Sequence, residues 1–414
     1  MAEQLGAVGM TTAGDGEHPD VVVVNTCTVT REATKASRMA IRRSARAHPD
    51  AKIVVVGCYA VSDRAEVEAI EGVDLVFGND EKESFAEALA QGGIAAPAAP
   101  VLQLGFRPPD PAPAQAAGVR VRANLKAQTG CDEWCSFCII PTTRGPLRSM
   151  DEDGLIAEAA QRVAAGAREL VLTGVHLGKY EYDKGGDESS LVRLFARLLA
   201  IEDVQRLRLS SILSRHLTRG VLEFMAAEPR MCRYLHVPLQ SGDDGVLAAM
   251  NRPYRIDEYI ASLERAKQML PGVALATDII VGFPGESDDA FAATMDVVRR
   301  IEYSKLHVFR YSARPGTASA GRPDSVRPEA KKERSRALIA LGNDIRGRFL
   351  REHLREPLEV LVEEQRFVEG TGVSSGQTGD HIRVWFEGEG LVGQMVLVQG
   401  DGIRADGIRG RMVA

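Results

Sequence analysis

The sequence predicts an α/β protein in three parts: an incomplete N-terminal doubly wound parallel α/β domain, a central partial β/α barrel, and a small C-terminal all-β barrel. Three observations carry this reading. Short apolar runs alternate with helical patterns on both sides of a proline-rich break, which calls for crossover connections and parallel sheets. Beyond the break the alternation continues for about 190 residues, the length of a complete or partial β/α barrel. After Pro357 the helical patterns stop and short strands broken by glycines take over.

In chain order, the runs Val21–Asn25 and Ile53–Gly57 read as strands flanking a helix from Arg31 to Ala47. Six of the 19 prolines fall between Gln91 and Gly118, where neither a helix nor a central strand is expected to continue. The later strand candidates are Leu170–Thr173, Leu207–Ser211, Tyr234–Val237, Ala276–Val281 and Lys305–Phe309, with helices such as Leu191–Leu199 and Ile256–Met269 between them. Pro328 suits a first helical position. Leu338, Leu341, Ile345 and Phe349 recur behind it at helical spacing, so one long helix runs to Leu354. Leu358–Glu363, His381–Phe386 and Gln394–Gln399 supply strands for the last part. The expected boundaries are 1–95, a linker over 96–118, 119–354 and 355–414.

Composition narrows the function classes. Hydrophobic residues make up 44% and charged residues 26% of the chain, which excludes wholesale disorder. A net charge of −6 excludes a protein that coats nucleic acid in bulk. Six cysteines in 414 residues are too few for a disulfide-built scaffold. No apolar run is as long as a membrane span requires. Met1-Ala2-Glu3-Gln4 carries no basic leader. The expectation is a cytoplasmic protein with reduced thiols.

Three of those cysteines stand out. Cys131, Cys135 and Cys138 form C-x3-C-x2-C within GCDEWCSFCIIPTTRG, so their thiols can converge on one metal centre. Closed zinc sites need four ligands, and no fourth Cys or His lies nearby. Thiolates also suit iron–sulfur clusters, and three of them leave one iron with an open position for a substrate or cofactor.

With Phe137 as the aromatic residue before the third cysteine, the motif resembles that of the radical S-adenosylmethionine superfamily. The strings CDEWCSFCIIPTTRGPLRS, LTGVHLGKY, LHVPLQSGDDGVLAAMNRPY, TDIIVGFPGE and YSARPGTAS, with NTCTVT and VVVGCYA, resemble the methylthiotransferases of that superfamily over nearly the whole chain. The resemblance implies a radical S-adenosylmethionine barrel at the centre and a TRAM-like module at the C-terminus. It implies a [4Fe-4S] cluster on Cys131, Cys135 and Cys138, with S-adenosylmethionine on its open iron, whose reductive cleavage yields a radical that abstracts hydrogen. It also implies a second, auxiliary [4Fe-4S] cluster in the N-terminal domain. Cys27 and Cys58, each just after a predicted strand, resemble two of its three ligands. The family's third ligand lies on a strand upstream, where this chain has no cysteine. The expectation is that this strand and part of a helix, on the order of 25–30 residues, precede Met1.

Other positions follow from the same likeness. Phe137 in the cysteine motif, and Thr173, Gly174, Ser211, Gln240 and Asp278 at or just past strand ends within family motifs, are the expected contacts to S-adenosylmethionine; those at the strand ends could equally serve a turn or cap a helix. The family's acidic residue two positions after the Ser-Ser pair is absent, since Ile212-Leu213 follows Ser210-Ser211. Cys232 reads as a core thiol. Arg144, Arg310, Arg314, Arg383 and Trp385 are expected to touch substrate or RNA.

Among the subfamilies, NTCTVT, GCYA and TGVHLGKY look most like the enzymes acting on threonylcarbamoyladenosine beside the tRNA anticodon. The isopentenyladenosine enzymes usually carry Gln-Asn where Gly174-Val175-His176 stands. Modification of isopentenyladenosine or of a ribosomal-protein aspartate stays open, as does a non-catalytic RNA-binding or cluster-carrying role. Charge adds weaker support for RNA: residues 299–355 hold fifteen basic against six acidic side chains, and 31–52 hold seven against two. The C-terminal part is acidic, six against ten, so RNA contact there would need a local patch such as Arg383, Trp385 and Phe386. Expected partners are tRNA and an electron donor such as flavodoxin or ferredoxin, with the protein itself a monomer.

Overall fold

The run Val21-Val22-Val23-Val24 is buried on both sides, as a central strand of a parallel sheet must be. Val21 and Val23 pack with Leu5, Phe85 and Leu89 on one face; Val22 and Val24 pack with Ile41, Tyr59 and Val67 on the other. The computed structural model describes residues 2–14, 16–92, 99–105, 120–368 and 370–413. The chain divides into two compact units, one of residues 1–113, 137–146 and 312–321, the other of 114–136, 147–311 and 322–414.

The first unit holds a parallel sheet of β1 (Thr11–Thr12), β2 (Val21–Thr26), β3 (Lys52–Gly57), β4 (Leu75–Phe77) and β5 (Pro100–Gly105), in the order β1-β5-β2-β3-β4. Its helix Arg31–Ala47 starts where the Thr30 hydroxyl accepts from the Ala33 N–H, capping the first turn. β5 corrects the linker reading. Residues 96–98 and 106–118 of the expected linker lie outside the described residues, but Pro100–Gly105 is a strand paired with β2 on one side and β1 on the other. Proline is tolerated there because it is the strand's first residue.

In the second unit, β6 (Arg122–Thr129), β8 (Glu169–Gly174) and β9 (Arg206–Leu209) run parallel, with the two-residue β7 (Arg148–Ser149) antiparallel at the edge of β6. β10 (Tyr234–His236), β11 (Ala274–Val281) and β12 (Lys305–Arg310) form a second parallel sheet. Single bridges at Leu207–Met231 and Ser211–His236 join β9 to the segment carrying β10. The result is a β/α array of six parallel strands with its active-site end at the strand carboxyl termini. The long helix Pro328–Glu352 packs on β12 through Gly342, where a Cβ would lie 2.8 Å from Leu306 Cδ1.

β13 (Leu358–Val368), β14 (Thr371–Thr378), β15 (Arg383–Glu387), β16 (Met395–Arg404) and β17 (Gly407–Met412) close a barrel around Val360, Val362, Val384, Val398 and Ile408. It is bonded to the β/α array by arginines. The Arg206 guanidinium donates to the carbonyls of Gln377 and Glu359, and that of Arg208 to the carbonyls of Thr378 and Gly379. No helix among the described residues is long and apolar enough to cross a membrane.

Candidate functional site

Cys27 and Cys58 each follow the last residue of a strand, and those strands are neighbours. Thr26 of β2 stands opposite Gly57 of β3, which brings the two cysteines to adjacent carboxyl ends of a parallel sheet, where ligands collect. Gly57 takes a left-handed φ of 107°. A Cβ there would lie 2.5 Å from the Thr26 carbonyl oxygen, so only glycine fits this turn. Asn79 donates from Nδ2 to Cys58 Sγ at 3.4 Å and to the Thr143 carbonyl at 2.8 Å.

Arg314, expected to touch RNA, is buried at 8% exposure. Its guanidinium bonds the hydroxyls of Thr28 and Thr34. Burial pulls its pKa down, while Asp63, Cys27, Cys58 and Cys138 oppose that pull, so one buried cation serves three cysteines of this unit. The side chain expected to touch substrate or RNA is thus engaged by hydroxyls within this unit. Arg144 of the same unit is half-buried, its Nε without a hydrogen-bond partner among the described residues.

In the second unit, Cys131 and Cys135 follow β6. The Glu133 N–H donates to Cys131 Sγ at 3.4 Å, and Arg252 Nη1 donates to the buried Cys135 Sγ at 3.1 Å. Arg252 also donates to the Tyr254 hydroxyl, while its Nη2 is buried without a hydrogen-bond partner among the described residues. A buried guanidinium against a cysteine fits a thiolate, the form a metal needs. Burial pushes the free Cys131 thiol up to about 11. The chemistry of the donor set therefore fits a thiolate-held cluster: three free cysteines in one short loop, a buried cation on one sulfur and a backbone N–H on another. Phe137 is half-buried and, like Cys138, belongs to the first unit.

Thr173 and Gly174 end β8. A Cβ on Gly174 would meet Gln128 Cβ at 3.2 Å, and Gln128 Oε1 accepts from the His176 N–H, so the turn is tied to the strand that leads to Cys131. His176 Nδ1 lies 3.9 Å from Cys131 Sγ, and its Nε2 is 3.2 Å from His216 Nε2. Burial lowers both imidazoles to about 4, so the pair is neutral at neutral pH. The Thr173 hydroxyl is taken up by the Leu125 carbonyl.

Ser211 and Asp278 are brought together by a residue the sequence reading did not single out. His236 Nδ1 lies 3.0 Å from Ser211 Oγ, and its Nε2 lies 3.1 Å from Asp278 Oδ1, off the line of a hydrogen bond. His307 Nδ1 reaches the same carboxylate oxygen at 3.2 Å. Burial opposes charge on Asp278, yet the two imidazoles hold its carboxyl well below the usual range. Gln240 is buried, with φ 66°, and is held by backbone bonds to Asp278 and Ile280. Two groups thus place three ligand-type atoms within 4.8 Å of one another: Cys131, Asp132 and His176, and His236, Asp278 and His307.

The remaining expected RNA contacts are scattered. Arg310 is exposed at the end of β12. Arg383 is engaged by Glu363 and Glu364, Trp385 is half-buried under the Arg404 guanidinium, and Phe386 is a buried core residue, which corrects its reading as a stacking surface. Much of the basic excess in 299–355 is neutralised internally, as in Arg334–Glu286, Lys331–Asp324 and Arg300–Glu264. Cys232 is a fully buried core thiol.

Two family profiles match the chain: "Radical SAM superfamily" over residues 125–298 and "Uncharacterized protein family UPF0004" over 1–78. A threonylcarbamoyladenosine tRNA methylthiotransferase of Bacillus subtilis (strain 168) is 38% identical over 387 residues, 92% of this chain and 85% of that protein. A tRNA-2-methylthio-N(6)-dimethylallyladenosine synthase of Sorangium cellulosum (strain So ce56) is 35% identical, covering 96% of this chain and 86% of that protein. Among solved structures, the radical S-adenosylmethionine methyltransferase TsrM from Kitasatospora setae shares the fold, with a TM-score of 0.54 at 17% identity over 74% of this chain and 67% of that one.

Proposed function

Since the chain belongs to the radical S-adenosylmethionine tRNA methylthiotransferases, we propose that its target is threonylcarbamoyladenosine beside the anticodon, methylthiolated at carbon 2 of the base. The observation that carries this choice is the turn Thr173-Gly174-Val175-His176. It resembles the threonylcarbamoyladenosine subfamily, and in this chain His176 stands 3.9 Å from Cys131. The Bacillus relative, named for the same nucleoside, supports it.

When bound through Cys131, Cys135 and Cys138, a [4Fe-4S] cluster supplies the one-electron chemistry that cleaves S-adenosylmethionine. The chain's own residues prepare that site. Arg252 and the Glu133 N–H donate to sulfur and favour the thiolate over the thiol. Gln128 clamps the approach to Cys131, with Nε2 on the carbonyls of Thr129 and Gly130 and Oε1 on the His176 N–H. The neutral His176–His216 pair adds no positive charge beside Cys131; the cations of this loop are Arg252 on Cys135, Lys179 on Asp132 and Glu133, and Arg215 on Glu133. In the first unit, Cys27 and Cys58 are the residues that would hold the auxiliary cluster, with Arg314 compensating their charge.

The test is a nucleoside digest of tRNA from cells lacking this protein and from the same cells complemented with it. Loss and recovery of 2-methylthio-threonylcarbamoyladenosine is the expected result. Loss of the 2-methylthio-isopentenyl nucleoside instead would move the target, and unchanged tRNA nucleosides would point to a ribosomal-protein substrate.

A further inference from the structure

The helix Arg31–Ala47 of the first unit sorts its side chains by face. Ala33, Ser37, Ile41 and Ser44 are buried. Arg31, Lys35, Arg38, Arg42 and Arg46 recur at intervals of four, three, four and four, which sets them in one row on the side turned away from those residues. The row spans about 22 Å at about 1.5 Å per residue. Its members are exposed except for the half-buried Arg38, and so are Arg43 and Met39 beside it, Met39 at 62%. Glu32 is the one acid in the helix sequence.

This charge is not neutralised inside the molecule. Arg38 donates to the Tyr59 hydroxyl and pairs with Glu66, but Arg31, Lys35, Arg42, Arg43 and Arg46 make no ion pair among the described residues. In 299–355, by contrast, Arg300, Lys331, Arg334 and Arg348 each face a carboxylate. The two flanks of the row differ as well. One opens on a groove shared with Glu66 and Glu71. The other opens on a groove against Leu102 and Leu104, lined on its helix side by Met39, Arg42, Arg43 and Arg46, with no acid among its described residues. A compact acidic protein presents scattered carboxylates, whereas an RNA strand presents one charge per nucleotide along a line. The row matches the second. Its arginines can bond phosphate in the charge-assisted, two-pronged way, and the apolar flank suits ribose.

The same helix is bonded to the Cys27 loop. The Cys27 N–H donates to Ser37 Oγ at 3.0 Å, and that hydroxyl donates to the Cys27 carbonyl at 2.9 Å. A strand held on the row is thus held by the element that fixes this cysteine. We propose that the row from Arg31 to Arg46, with Arg43, binds the sugar–phosphate backbone of the substrate tRNA outside the nucleotide that is modified. Such contacts position an RNA without reading its sequence. The inference rests on the tRNA methylthiotransferase assignment and not on which modified adenosine is the substrate.

The experiment compares reconstituted wild type with three triple variants. Arg42→Gln/Arg43→Gln/Arg46→Gln removes three charges from the surface, and Arg42→Lys/Arg43→Lys/Arg46→Lys keeps them. Arg219→Gln/Arg299→Gln/Arg300→Gln removes three elsewhere, each of them engaged by a carboxylate. Kd is measured for tRNA carrying threonylcarbamoyladenosine or isopentenyladenosine between about 50 and 200 mM salt. Release of 5′-deoxyadenosine is followed with dithionite as reductant. The Gln surface variant should raise Kd by about tenfold or more. It should also lower the slope of log affinity against log salt by about two to three, one phosphate contact per arginine. The Lys variant and the control should bind as wild type does, and all should release 5′-deoxyadenosine alike. An unchanged Kd and slope would overturn the proposal. So would an equal loss in the control, which would make the effect one of net charge alone. RNA binding unchanged, with turnover lost only when flavodoxin replaces dithionite, would give the face to an acidic electron donor and overturn it too. Wild type that neither binds nor methylthiolates either tRNA would instead sink the functional assignment.

Discussion

Glu169 shows how much of the molecule one side chain can hold. It is fully buried, and its carboxylate accepts from Arg208 Nε at 2.7 Å and Arg122 Nε at 2.8 Å; these arginines also reach the C-terminal barrel at Thr378, Gly379 and Gln377. Burial opposes the charge, but Arg208 and Arg122 overcome it and hold the carboxyl at about 2. The folded value lies below the unfolded one, so the stabilisation is complete above the ordinary carboxylate range and is lost as pH falls toward that folded value. Removing one partner of a buried pair strands the other charge, so Glu169→Ala should cost about 3–5 kcal/mol in urea unfolding at neutral pH. A loss under about 1 kcal/mol would mean that water replaces the carboxylate without penalty. Nothing in the local sequence RELVLTG marks Glu169 as buried, because its partners stand 47 positions before and 39 after it. The cysteines were legible for the opposite reason: Cys131, Cys135 and Cys138 sit within one loop, and Cys27 and Cys58 each close a strand that reads as apolar. His236 and His307 escaped notice because they meet only when β10, β11 and β12 come into register.

At the scale of elements, runs whose apolar residues are continuous or recur at helical spacing were the readable ones. Arg31–Ala47 and Ile256–Met269 follow their sequence periodicity end to end, and β2, β3, β8 and β12 follow theirs to within a residue or two. β5 was unreadable because its window is dense in proline, although only Pro100 falls in the strand, at the one position where its missing N–H costs nothing. β6 was missed because Asn124 and Lys126 interrupt its apolar residues, the pattern of a strand with one exposed face. The long helix ends in a joint that makes a pH prediction. His353 Nε2 lies 2.6 Å from Asp380 Oδ2 in the turn between β14 and β15. Burial opposes the imidazolium, but the Asp380 carboxylate outweighs it and raises the His353 pKa, while Asp380 is lowered. The His353 contribution is present in full below about pH 6.5 and is lost as pH rises through the raised value; that of Asp380 is lost as pH falls below about 4. The difference in Tm between wild type and His353→Gln should be largest near about pH 6 and shrink by about pH 9. A difference constant across that window would show that the ring acts by packing alone.

For the whole molecule, the two compact units divide the cysteines, and this division has a functional consequence. Cys131 and Cys135 belong to the β/α unit with Arg252, His176 and the inner face of β11 and β12; Cys27 and Cys58 belong to the parallel-sheet unit with Arg314 and Asn79. Each set has a buried cation and a hydrogen-bond donor to sulfur, Arg252 on Cys135 and Arg314 with Asn79 beside Cys27 and Cys58, while Cys138, the third cysteine of the C-x3-C-x2-C loop, belongs to the parallel-sheet unit and is among the charges that act on Arg314. Loss of one set should then leave the chemistry of the other intact. Cys131→Ala should abolish reductive cleavage of S-adenosylmethionine by the reconstituted enzyme, and methylthiolation with it. Cys27→Ala should retain cleavage, read as release of 5′-deoxyadenosine, while methylthiolated nucleoside disappears from the RNA. Iron per chain gives a readout free of turnover: each variant should lose up to about four irons, one cluster's worth, and keep the remainder. Equal loss of cleavage in both variants, or an iron count that falls to zero in either, would contradict two independent sites and require the units to assemble a single one.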